Sequence, residues 1–500
     1  MRSIRLISLT ITFSLVFLIA ASPLAAISPI RAQGDAPKFE KVPCPLESQP
    51  GRPVECGYLT VPENRKVNNG KTIRIFVLTL KSEQPNALPL AYLAGGPGLS
   101  AAMAVEAWRY EDITLPYDFI MVDQRGTGFS EPNLNCPEME GIGYPAPADA
   151  VKSCKQRLLD RGIDLSAYNS AESAADVADL RVAMGYSEWN LYGLSYGTRL
   201  ALTVLRDHPE GIRAVVLDSV YPPNVNAYET LGVVTINAFQ KLWDSCAADT
   251  ACNETFPNLD QIFLKVVNDL NTTPITVSGQ SIETGEDIEL VVTGDTIIDR
   301  LAFGMLDDAT IPTIPGLLGL LAMGNYDFLP LIMGINPRAK GLPAQMDEEG
   351  DTSDSEGMRL AVECGEEFPF NSKDRAAELL KNAPDVIREP MLRRTLREFQ
   401  ECEAWGVTSM PDPIENEAVK SSVPTLILTG RFDTTTPIEW AELTSQTLPN
   451  SYLFVIPTMS HVVTVTNTCV TEIFTSFLAN PSQAPDSACI ADLTLEFQTQ

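Results

Sequence analysis

At 500 residues and 44% hydrophobic content, the chain is long enough to bury a large core domain and a second unit beside it. Its 36 basic against 65 acidic residues leave a net charge of -29, which repels nucleic acid and anionic membrane surfaces and argues against both as partners. The ten cysteines contain no C-x-x-C pair and no metal-ligand cluster stands out, so neither a metal nor another cofactor is expected.

The chain opens on Met-Arg-Ser-Ile-Arg, followed by an apolar run over 6–21 and small residues at Ala25 and Ala26. That is the layout of a secretory signal peptide, taken as residues 1–33, with a retained membrane tether as the alternative. No later stretch is long and apolar enough to span a bilayer, so a secreted product is expected. In an oxidising compartment the cysteines should form disulfides, most economically between neighbours: Cys44–Cys56, Cys136–Cys154, Cys246–Cys252, Cys364–Cys402 and Cys469–Cys489. Asn253 and Asn271 sit in glycosylation sequons.

Short β-branched or apolar runs bounded by Gly, Pro or Asp predict strands at 72–80, 88–94, 119–123, 189–192 and 214–218. Helical patterns over 173–184 and 196–208 flank the run at 189–192, and Pro209 and Gly211 end the second of them. Strand-like runs return only at 425–429 and 452–456. The interval between is mainly helical in pattern, over 231–243, 259–270, 295–306, 314–323 and 374–380. The alternation predicts an α/β fold with a mostly parallel sheet covered by helices on both faces. A core in two parts, 34–222 and 412–500, would be interrupted by an inserted helical cap at 223–411. Within the cap, the acidic stretch 347–356 reads as a solvated surface loop.

Gly193-Leu194-Ser195-Tyr196-Gly197 falls between a predicted strand and a predicted helix, the setting in which G-x-S-x-G lifts a nucleophilic serine out of a tight turn. A serine hydroxyl needs a base to accept its proton, and the chain holds two histidines. His208 ends the helix after Ser195, about 20 Å away at 1.5 Å per residue, and is a surface residue on this reading. His461 follows the last strand and is the candidate base. Asp433, in the loop after the strand at 425–429, is the candidate acid that orients it; Asp218, ending an earlier strand, competes for that role. The chain order Ser, Asp, His favours Asp433. Gly95-Gly96-Pro97-Gly98, directly after a strand, is a candidate oxyanion loop, with the N–H groups of Gly96 and Tyr196 as donors.

Together with Asp123-Gln124-Arg125-Gly126-Thr127-Gly128, Gly430-Arg431-Phe432-Asp433 and Ser460-His461, these segments resemble the proline iminopeptidase and tripeptidyl aminopeptidase family of α/β-hydrolases, over about 43–469. Ala94, where many iminopeptidases carry histidine, leans toward the secreted tripeptidyl branch, and Leu99 stands where a further glycine is common. The resemblance implies the α/β-hydrolase fold, a serine peptidase with an acyl-enzyme on Ser195, and a peptide substrate with a free amino end. An ammonium group buried at such a site needs carboxylate partners. Glu366 and Glu367, in Glu363-Cys364-Gly365-Glu366-Glu367, are the candidates. Asp123 and Arg125 are expected to form a structural ion pair near the oxyanion loop. The alternatives are an esterase or lipase acting on small acyl esters with the same triad, and an inactive binding protein on the same scaffold.

Overall fold

The computed structural model describes residues 37–499 except 47–50, 68, 140–145, 283–284, 286, 337–353, 407–410 and 465–466. The expected signal segment and most of the acidic stretch lie outside the described residues. Residues from Pro37 onward form one compact unit.

Seven strands come first: β1 (Lys38–Val42), β2 (Val54–Pro62), β3 (Thr72–Leu80), β4 (Pro89–Leu93), β5 (Asp118–Val122), β6 (Trp189–Leu194) and β7 (Ile212–Asp218). The inserted segment adds β8 (Ile275–Ser281), β9 (Asp287–Val292) and β10 (Ile335–Asn336), and the chain returns with β11 (Thr425–Gly430) and β12 (Ser451–Ile456). Nine strands make one sheet in the order β1-β2-β3-β5-β4-β6-β7-β11-β12. It is antiparallel from β1 through β5 and parallel from β5 to β12.

Every residue of β4 and β11 is buried, as strands covered on both faces must be. Alternate residues serve opposite faces. Leu90, Tyr92, Met121, Val216 and Leu428 pack against Ile473, Phe474 and Phe477 of the Thr468–Ala479 helix. Ala91, Leu93, Val122, Leu217 and Ile427 pack against Val177, Leu180, Leu200 and Leu205 of the Ser170–Ala183 and Tyr196–Asp207 helices.

β7 and β11 are hydrogen-bonded neighbours, so everything between them is an insertion at one joint of the sheet. The insertion has a hydrophobic cluster of its own around Phe239, Trp243, Phe263, Leu301 and Leu318. It is not purely helical. β10, β8 and β9 form a small antiparallel sheet; Ile275 and Val277 of β8 and Ile288, Leu290 and Val292 of β9 alternate toward the insertion's own cluster, a period-2 pattern too short to stand out within a mainly helical interval. The longest element missed in the sequence is the Asp385–Trp405 helix. It runs through Pro390 near its start, a residue that ordinarily marks a helix boundary. All five neighbouring cysteine pairs are bonded.

Candidate active site

Ser195 stands between β6 and the Tyr196–Asp207 helix with φ of 54°. Non-glycine residues reach that region rarely, at a cost of about 1–3 kcal/mol, and functional turns are where such strain collects. The flanking glycines are demanded by space. A Cβ on Gly193 would lie 2.4 Å from the Gly197 carbonyl oxygen, and one on Gly197 would lie 1.9 Å from that of Leu93. The loop after β4 leans on the same turn: a Cβ on Gly95 would be 3.0 Å from Ser195 Cβ. Gly96 has φ of 104° and leads into Pro97, while Tyr196 is the first residue of its helix, where a backbone N–H has no partner within the helix.

Asp433 follows β11 and His461 follows β12, so both leave the same edge of the sheet as Ser195. His461 Nδ1 donates to Asp433 Oδ2 at 2.8 Å. The other Asp433 oxygen accepts the N–H groups of Thr435 and Thr436, each at 2.8 Å, and Thr436 Oγ1 donates to Oδ2 at 2.6 Å. Burial pushes the Asp433 carboxyl up. The adjacent imidazolium charge and these hydrogen bonds outweigh it and hold the group below the usual carboxylate value. For His461 burial acts downward and is overcome first by Asp433, then by Asp218 and Asp308, so its pKa is raised.

Ser195 Oγ makes no hydrogen bond to another described residue. Its turn and the His461 loop are instead joined through Asp218, whose carbonyl oxygen accepts the Ser195 N–H at 2.9 Å. The Asp218 carboxylate accepts the N–H groups of Val463 and Thr464, each at 3.1 Å, and Thr464 Oγ1 at 2.7 Å. His208 is at the far end of the nucleophile helix, as its C-cap.

Glu366 and Glu367 are both buried, in a π-helical turn at Glu363–Glu367 that faces the first turn of the nucleophile helix. They are not equivalent. Both Glu367 oxygens are occupied: one by Ala227 N–H at 2.7 Å and Asn371 Nδ2 at 3.1 Å, the other by Arg199 at 2.9 Å. Glu366 Oε1 accepts from Ser170 N–H, but no hydrogen-bond donor among the described residues reaches Oε2, and the Arg199 guanidinium is 3.8 Å away. Burial raises the Glu366 carboxyl to about 7. Pro97, Tyr196, Arg199, Tyr221 and Glu366 line one gap, which is too tight in this conformation to admit a water molecule.

The expected pair between Asp123 and Arg125 does not form. Asp123 accepts from Ser100 Oγ, Ala102 N–H and Phe129 N–H, bracing the segment after the oxyanion loop. Arg125 turns the other way, to Asp176 and the carbonyls of Glu63 and Ala167. Both are fully buried, and each makes its hydrogen bonds to other partners.

Two family models match. Residues 89–266 match the alpha/beta hydrolase fold, and residues 389–489 match the TAP-like protein. The first span contains Ser195 and the glycine loop, the second Asp433 and His461. The chain has the α/β-hydrolase fold and carries a TAP-like region near its C-terminal end. A tripeptidyl aminopeptidase of Streptomyces coelicolor is 30% identical to this hydrolase over 225 residues, 40% of this chain and 41% of that relative. The chain thus matches about two fifths of the length of that aminopeptidase. Serine protease Hip1 of Mycobacterium tuberculosis is 22% identical over 92% of both chains. Among solved structures, a thermophilic esterase from Thermogutta terrifontis aligns with 85% of the chain and 99% of its own at 16% identity and a TM-score of 0.38.

Two residues not expected from the sequence also stand here: Thr436 beside the His461–Asp433 pair, and Asp308, whose Oδ1 accepts the Ser460 N–H at 2.7 Å. Thr436 lies three residues from Asp433 in a Thr-Thr-Thr run, and a capping-turn reading of that run is the signal that would have found it.

Proposed function

We propose that this hydrolase is an exported serine peptidase that cleaves peptide bonds near a free amino terminus. The observation that carries the reading is the His461–Asp433 hydrogen bond at the sheet edge where Ser195 occupies a strained turn. Ser195 Oγ attacks the scissile carbonyl while His461 Nε2 takes its proton, and Asp433 keeps the Nδ1–H tautomer and stabilises the imidazolium. The N–H groups of Gly96 and Tyr196 stabilise the tetrahedral oxyanion. Collapse transfers the proton from His461 to the leaving amine and leaves an ester on Ser195. A water, deprotonated by His461, then releases the acid product.

Preference for a free amino terminus is assigned to Glu366. Glu366 and Glu367 face a single guanidinium, Arg199, so with Glu366 ionised the site carries one negative charge more than that guanidinium offsets, and one carboxylate oxygen without a donor among the described residues. A substrate ammonium supplies both missing elements. Glu367, with both oxygens occupied, holds Arg199 and the π-helical turn in place. Five disulfides support export to an oxidising compartment.

Mass spectrometry of products from a peptide library, half of it amino-acetylated, tests the proposal. Cleavage confined to free peptides near their amino ends is expected. Cleavage of blocked peptides alone rejects it, and turnover of acyl esters with no peptide cleaved favours the esterase alternative.

A further inference from the structure

Three non-glycine residues with left-handed backbone meet beside the candidate triad: Ser195 at φ 54°, Ser219 at 60° and Val462 at 67°. A β-branched residue such as Val462 adopts that conformation only when its surroundings hold it there. All three are tied to one short segment at the end of β7. Ser195 N–H bonds to the Asp218 carbonyl. Val462 N–H bonds to Ser219 Oγ at 2.9 Å, and Ser219 Oγ is in turn 3.3 Å from Asp218 Oδ1. The next two residues after Val462 give their N–H groups to the Asp218 carboxylate, and Thr464 Oγ1, which accepts from Tyr192 of the nucleophile strand, donates to it as well.

We propose that Asp218 is a positioning residue: its carbonyl seats the Ser195 turn while its carboxylate holds residues 462–464, so that one buried side chain fixes the base loop against the nucleophile. The inference rests on the triad reading above. It gives a role to a fully buried acid at a strand end, which makes no hydrogen bond to His461, beside the acid that does. Asp218 is acceptor-only when ionised, and it receives only donors: two backbone N–H groups and two hydroxyls. Asparagine in its place must turn an NH2 toward groups that are themselves donors.

The charge also reaches the imidazole. The acidic groups facing His461 are Asp433 from the loop after β11, Asp218 from β7 and Asp308 from the inserted segment, and all three favour the imidazolium. Removing one of them lowers the His461 pKa. Because the base must be neutral to accept a proton, the acid limb of the activity profile then moves to lower pH.

The test compares the full chain with its Ser195→Ala, Asp218→Asn and Thr464→Val variants in p-nitrophenyl acetate hydrolysis across pH, with thermal melts alongside. For Asp218→Asn the expected result is a kcat loss on the order of 10- to 100-fold with KM within about twofold. Its acid limb should shift roughly 0.5 pH unit downward. A folded Asp218→Asn with wild-type kcat, or with reduced kcat and an unmoved acid limb, overturns the inference. If Asp218→Asn does not fold, Thr464→Val decides. It removes one donor and keeps the charge, and a kcat loss of about threefold or more at unchanged KM supports the inference, whereas wild-type kcat overturns it. Turnover surviving in Ser195→Ala overturns the triad reading itself.

Discussion

Two buried carboxylates next to a cationic partner, Asp433 in the core and Glu366 in the insertion, differ in how completely they are satisfied. Asp433 receives His461 Nδ1–H, two backbone N–H groups and a threonine hydroxyl, which leaves it no capacity for a ligand. Glu366 receives one backbone N–H and keeps an oxygen without a donor among the described residues, at the wall of a gap too tight for a water molecule. A saturated acid can only orient what it already holds. An unsaturated one has a reason to bind something, and the price of its burial shows in a carboxyl raised to about 7 while Asp433 is held low.

That contrast breaks first on the chemical side. Ser195→Ala should abolish turnover of every substrate, a loss on the order of 10⁵-fold or more in kcat, measured by burst-free steady-state assays. Asp433→Asn should follow with a loss on the order of 10⁴-fold in kcat and little change in KM, because the wrong imidazole tautomer is stabilised. A small effect there, paired with a large one in Asp218→Asn, would mean the two aspartates have exchanged roles.

On the binding side the two neighbouring glutamates should separate. Glu366→Gln should weaken kcat/KM for free-amino peptides by about 2–5 kcal/mol, some thirty-fold to several thousand-fold, while p-nitrophenyl acetate is unaffected. Glu367→Gln should act through the fold, because it strips a buried Arg199 of its partner at a cost of about 3–5 kcal/mol, seen as a lowered melting temperature. Equal losses on free and blocked substrates in Glu366→Gln would remove the ammonium assignment.

The smallest expected effect is on pH. Glu366 must be ionised to hold an ammonium and titrates near 7, and a peptide amine loses its proton above about 8. KM for free-amino peptides should therefore be lowest between those values and rise on both sides. KM for an amino-blocked ester should be flat over the same range.

The same division explains what could be read from the chain. The parallel strands announced themselves because burial on both faces leaves short runs such as Leu90-Ala91-Tyr92-Leu93, bounded by turn residues. The order of Ser195, Asp433 and His461 was legible because each follows a core strand. β1 and β2 were not, since β1 is short and largely exposed, and Gly57 and Pro62 confine the alternation of β2 to the stretch around Leu59 and Val61. Asp218 was legible as an acid at a strand end and Thr436 as one of a threonine run, but not the part either takes in the site. What each does depends on which N–H groups a distant loop presents to it. The unequal states of Glu366 and Glu367 were hidden for the same reason, since Arg199, Ala227 and Asn371 reach them from separate elements.

The most direct test of the central claim, that Ser195 is made nucleophilic by His461, is the rate and site of labelling by a fluorophosphonate probe. The account predicts a single adduct on the peptide containing Ser195, formed quickly in the wild type and lost in His461→Ala with the fold intact. An adduct on another residue, or equal labelling of Ser195 without His461, would contradict it.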